Sequence, residues 1–135
     1  MSASDFAILQ PNGWVQPLGY ANGIAAEGRL VFIAGQIGWN VRAELVSEDF
    51  VAQVEQALSN IVRILAEAGG APHHLTRLTW YVVDKSVYVA RLKDVGEAYR
   101  RVIGRHFPAM TLVVVAGLLE EGAQVEIEAT AVIPR

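Results

Sequence analysis

The spacing of hydrophobic and polar positions changes several times along this chain, and each change marks a predicted element. From Gln124 to Ile133 the pattern alternates. Val125, Ile127, Ala129 and Ala131 share one face, and Glu126, Glu128 and Thr130 share the other. Successive side chains of a strand point to opposite faces, so this segment reads as a strand with one buried side. Leu30-Val31-Phe32-Ile33-Ala34 and Met110 to Val115 are apolar runs of buried-strand length. Leu78 to Val83 is rich in aromatic and β-branched residues and reads as a further strand. Two stretches repeat instead at helical spacing. Phe50, Val54, Ala57, Leu58, Ile61, Leu65 and Ala68 form one stripe; Tyr88, Leu92, Val95, Tyr99, Val102 and Ile103 form another. Ser47 and Ser86 stand where N-caps are expected. Gly69-Gly70 with Pro72 stops the first helix, and Gly104 with Pro108 stops the second.

Tyr20 to Ala26 adds a short strand, turned into Leu30 by Glu27-Gly28-Arg29, whereas Pro11 to Gly19 is turn-rich and irregular. Glu120-Glu121-Gly122 is a turn. The order is therefore β-β-α-β-α-β-β. It predicts an α+β fold over residues 1–135, a single domain with both helices on one face of the sheet. Gly35 and Gly38, just past an apolar strand, predict a bulge or a close approach to the backbone.

Composition adds an expectation about the sheet's second face. Apolar residues make up 53% of the chain and charged residues 19%. That is more apolar side chain than a small monomer hides, so packing against another copy is expected. The net charge of −3, the pI near 5.6 and the scattered basic residues predict no nucleic-acid partner. The absence of cysteine rules out disulfides and thiolate chemistry and fits a cytoplasmic location. Met1 to Asp5 lacks the pattern of a signal peptide. The apolar run from Ala109 to Leu119 is well short of the ~20 residues that span a bilayer, so no membrane partner is expected.

Candidate chemistry is sparse. His73 and His74 are adjacent, His106 is distant, and no carboxylate stands at ligand spacing from them, so neither a metal nor a cofactor is predicted. There is no G-x-S-x-G elbow and no phosphate-binding glycine loop. Trp39, in a glycine-containing loop after a strand, is a candidate ligand contact. Glu126 and Glu128 are carboxylates inside an otherwise apolar strand, costly there unless solvated, paired or used.

Taken in order, Gly19-Tyr20-Ala21-Asn22-Gly23, Val31-Phe32-Ile33-Ala34-Gly35-Gln36, Gln53 through Asn60, Tyr81-Val82-Val83-Asp84, Phe107-Pro108-Ala109 and Val125-Glu126-Ile127-Glu128-Ala129 resemble the RidA/YjgF family of reactive-intermediate deaminases. The match runs from about Leu18 to Val132. The resemblance implies a chorismate-mutase-like fold and a homotrimer with clefts between subunits. It also implies hydrolysis of small imines or enamines to a carbonyl compound and ammonia. Tyr20 and Glu126 take the catalytic positions, with Glu126 placing the attacking water. Gly35 carries over at the turn that shapes the site, and Gln36, Met110, Thr111 and Leu112, with Trp39 from the loop after the strand Leu30 to Ala34, are the expected substrate contacts.

One residue departs from that pattern. Where the family's arginine grips a substrate carboxylate, this chain has Met110, and where a cysteine often follows it has Leu112. A thioether cannot form the bidentate pair of a guanidinium. Two functions follow. One is a divergent hydrolase of a small imine, enamine or related carbonyl compound that is not held by an arginine–carboxylate pair, unless Arg29, Arg42, Arg77 or Arg105 substitutes from elsewhere. The other is a non-catalytic trimer that binds a small molecule or regulates a partner.

Overall fold

The computed structural model describes residues 6–135; Met1 to Asp5, where no signal pattern was read, lie outside them. A mixed sheet is built from β3 (Arg29–Gln36), β4 (Leu75–Val82), β5 (Ala109–Val114) and β6 (Val125–Ile133), in the order β3-β6-β4-β5. β6 runs antiparallel to both its neighbours, and β4 and β5 are parallel. The alternation in β6 is the one the sequence predicts. Val125, Ile127, Ala129 and Ala131 are buried, and Glu126, Glu128 and Thr130 face the other way.

Helix α1 (Phe50–Glu67) covers the buried side. Its stripe from Phe50 through Val54, Leu58 and Ile61 to Leu65 meets Ile33, Leu78, Trp80 and Ile127 in one core. Burying each large aliphatic side chain of that stripe contributes about 1.5–3 kcal/mol. The expected second helix is broken at Arg91 into α2 (Lys85–Ala90) and α3 (Leu92–Val102). Arg91 Nε reaches Asp94 and its Nη1 reaches Asp49, both at 2.9 Å, so one guanidinium ties the break to the start of α1. α3 packs beside α1 on the same side of the sheet.

Both helix starts correct the expected caps. Asp49, not Ser47, caps α1 by accepting from Ala52 N, and Asp84, not Ser86, caps α2 by accepting from Ser86 N and Val87 N. A carboxylate at this position also opposes the partial positive charge of the helix end. The Arg91 guanidinium, hydrogen-bonded to Asp49, holds that carboxyl below its ordinary pKa. A strand not predicted from sequence, β1 (Phe6–Leu9), pairs with β2 (Gly23–Ala26) as a separate antiparallel ribbon. The expected strand from Tyr20 thus begins three residues later. Ala21 N donates to Pro108 O at 3.0 Å, which pins the ribbon against the start of β5.

The helix-free side of the sheet is open in the single chain. Leu30 is 60% and Phe32 76% exposed there, beside Thr79, Tyr81, Glu126 and Glu128. Buried Gln53 organises one end of the molecule. Its Nε2 donates to Ser47 O (2.9 Å) and Gly122 O (3.0 Å), and its Oε1 accepts from Gln124 N (2.9 Å). This one amide joins the loop before α1 to the loop between β5 and β6.

Candidate functional site

The predicted site residues fall into three groups. The first lies on the open face. β3 is irregular between Ile33 and Gln36, as the glycine there predicts. The Glu126 carboxylate occupies the space a Cβ would fill on Gly35, with Glu126 Cγ 2.9 Å from that position. Only glycine lets the carboxylate lie this close to the β3 backbone. Two residues along β6, Glu128 accepts a 2.6 Å hydrogen bond from the Tyr81 hydroxyl, and that bond raises the phenol's pKa above 10. Glu128 is paired; the Glu126 carboxylate accepts no hydrogen bond from a side chain among the described residues.

The second group lies on the helix side. Met110 and Leu112 share register with Leu78 and Trp80, so they project toward α3. With Tyr20, brought in by the pinned ribbon, they line a cavity of about 540 Å³ between α3 and β5. Trp80, Tyr88, Val95 and Tyr99 complete most of its wall. Burial pushes the Tyr88 and Tyr99 phenols above their usual range, so both hold their protons at neutral pH. Tyr99 donates to His106 O at 2.6 Å.

The third group is the loop beyond β3. Trp39 Nε1 donates to Gln36 Oε1 at 3.3 Å, and Asn60 Nδ2 holds the Trp39 carbonyl at 2.9 Å. Thr111 shares the face of the first group but stands two strands away from Glu126. It is exposed on the open face of β5, opposite Thr79.

The geometry has a direct consequence for chemistry. Glu126 pairs with Tyr81, while Met110 pairs with Leu78, and residues an odd number apart on β4 face opposite ways. Within one chain, Glu126 and the Met110 cavity are therefore on opposite sides of the same sheet. Of the four arginines considered as substitute anchors, none lines the cavity. Arg29 donates to Ala68 O at the end of α1, Arg77 sits on the open face, and Arg42 and Arg105 are exposed in loops. The arginine that does line it is Arg100 on α3, which sequence reasoning missed. Its signal was Gly96 one helical turn earlier, a gap on the helix surface over which a guanidinium can lie. Among the described residues no three histidine, aspartate or glutamate side chains cluster to hold a metal ion, and no helix is long and apolar enough to cross a membrane.

Comparison with known proteins is consistent across sequence and structure. The family model described as endoribonuclease L-PSP matches residues 16–133. Protein DfrA of Myxococcus xanthus is 34% identical over 106 residues, covering 78% of this chain and 77% of the relative. The human 2-iminobutanoate/2-iminopropanoate deaminase is 32% identical over 105 residues, covering 77% and 73%. The crystal structure of YyfB from Yersinia pestis, a Rid-family protein of unknown function, superposes with a TM-score of 0.85. It shares 31% identity, and the match covers 96% of this chain and 99% of YyfB.

Proposed function

Because the chain belongs to the endoribonuclease L-PSP family, the RidA/YjgF family of its sequence resemblance, we propose that it hydrolyses a small imine or enamine in a cleft shared between copies of itself. The observation that carries this reading is the Glu126 carboxylate seated against the bare backbone of Gly35. In that place it takes a proton from a water as the oxygen adds to the C=N carbon, and returns a proton to nitrogen as the C–N bond breaks. The balance is imine plus water giving carbonyl compound plus ammonia, with no redox partner. Tyr20 and the cavity beside Met110 and Leu112 hold the rest of the substrate.

The opposed faces support a shared cleft. A site using both Glu126 and the Met110 cavity draws them from two chains, because no path around the sheet brings them together in one. The exposed Leu30 and Phe32 on the Glu126 face support burial of that face by another copy, in line with a trimer.

The test is decay of imines generated in situ from a panel of amino acids by an amino-acid oxidase. Wild type is expected to accelerate decay and Glu126→Gln to abolish the acceleration at an unchanged oligomeric mass. Wild-type silence across the panel would sink the hydrolase reading and leave a binding trimer. A monomeric mass at assay concentration would remove the shared cleft.

A further inference from the structure

The cavity between α3 and β5 is larger and more aromatic than a four-carbon imino acid requires. In the single chain it is open on one side and measures about 540 Å³, room for a ring-sized ligand. Trp80, Tyr88, Tyr99 and Phe107 contribute to its lining. Aromatic walls favour an aromatic occupant, through offset or edge-to-face contacts added to apolar burial.

Two polar features lack partners. The indole Nε1–H of Trp80 is buried and has no hydrogen-bond acceptor among the described residues. A buried donor left unmatched is unfavourable, and an acceptor on a bound molecule relieves it. At the rim stands Arg100, the one charged residue among the described residues that line the cavity. Its neighbours on the helices are paired: Arg91 with Asp49 and Asp94, and Arg101 with Glu55. Arg100 has no carboxylate partner among the described residues. Its Nη1 lies 3.7 Å from where a Cβ on Gly96 would stand, so the guanidinium folds back along α3 over the bare glycine.

We propose that this cavity takes an aromatic 2-oxo acid or the corresponding imino acid. The ring lies among Trp80, Tyr88 and Tyr99, the carboxylate is held at the rim by Arg100, and Trp80 Nε1 donates to a ligand oxygen. The cationic anchor absent at Met110 has thus moved from β5 to α3, and the space released is filled by the aromatic group. This deepens the hydrolase reading and, as a substrate class, rests on it. The binding site stands or falls on its own measurement.

The probe is phenylpyruvate, a stable product-like acid, followed by calorimetry on the intact protein. 2-Oxobutanoate serves as the small acid and phenylacetamide as the uncharged aromatic. Phenylpyruvate is expected to bind at least tenfold more tightly than either. Arg100→Gln is expected to weaken it roughly 5- to 10-fold, since the pair sits at a solvated rim. Arg101→Gln, one residue along α3, is expected to leave binding unchanged. Gly96→Leu, which fills the gap under the guanidinium, is expected to weaken phenylpyruvate while leaving the thermal midpoint near wild type. Equal affinity for the two acids, or no loss in Arg100→Gln, overturns the proposal. Phenylpyruvate binding that depends on Arg100, without turnover of any imine, supports the site and removes the hydrolase reading. Turnover that favours small imines and ignores Arg100→Gln keeps the hydrolase reading and overturns this site.

Discussion

Replacing Gln53 with methionine removes three hydrogen bonds at once without opening a cavity. The two side chains have similar volume, so the packing of α1 is retained. The Ser47 and Gly122 carbonyls and the Gln124 amide lose their partner. Each buried polar group left unmatched costs about 1–3 kcal/mol. These three belong to loop and strand-end backbone, where water replaces part of each lost bond, so the lower limit applies and the sum is about 3 kcal/mol. For a chain of this length each kcal/mol moves the thermal midpoint by roughly 3–5 °C, which predicts a fall of about 9–15 °C. The urea midpoint should fall in proportion with an unchanged slope, because no surface is newly exposed in the folded state. Gln56, on the same helix, has one side-chain bond among the described residues, to Asn60 at 2.8 Å. Gln56→Met is the matched control and should cost about 1 kcal/mol or less. Circular dichroism at fixed protein concentration measures both. A Gln53→Met midpoint within about 3 °C of the control would show that the amide does not join the two loops energetically, and would refute the reasoning.

Gly28 has φ +148° and faces the backbone carbonyl of Ile133, which cannot move aside as a side-chain tip can. Gly28→Ala should lower stability by about 1–3 kcal/mol or more in urea melts; a neutral result would mean the turn relaxes freely. Burial lowers the His106 pKa from 6.5, with the bond to Leu75 O opposing it, so the folded state disfavours the imidazolium. His106 thus contributes stability that is fully present above pH 6.5 and is lost as pH falls toward its lowered folded value. His74 is lowered by burial in the same sense. Thermal midpoints measured from pH 7.5 down to 5 should therefore fall, and less so in His106→Asn; an identical slope in that variant would reassign the effect. If the cleft is shared, Glu126→Gln and Tyr20→Ala chains unfolded and refolded together should recover a fraction of imine hydrolysis that neither has alone. No recovery from verified mixed oligomers would overturn the shared cleft.

The strands of the main sheet were legible because their alternation survives into the structure, β6 above all. Gly35 was legible because a glycine at the end of an apolar strand has few reasons to be there, and the Glu126 carboxylate supplies one. The caps are ambiguous in the sequence because serine and aspartate both accept from a helix N-terminus, and a serine stands two residues from each capping aspartate. β1 escaped because its Ile8 and Leu9 are largely exposed and carry no inward-facing pattern. The break at Arg91 was hidden because the apolar stripe continues across it, and the ion pairs that hold it are distant in sequence on one side. Arg100 escaped for a related reason. Its place at the cavity depends on where α3 lies against β5, which periodicity does not encode.

The order β3-β6-β4 places the most deeply shared strand after both of its neighbours in the chain. On the ribosome, β3 and β4 exist for a time with nothing between them. At synthesis rates of about 5–20 residues per second, β4 waits roughly 2–9 s before β6 begins to appear. Throughout that interval the edges of β3 and β4 that β6 will pair lack their partner. The sheet is therefore closed by one late insertion, and the pairing of β3 and β4 into one layer waits on the last strand to be made.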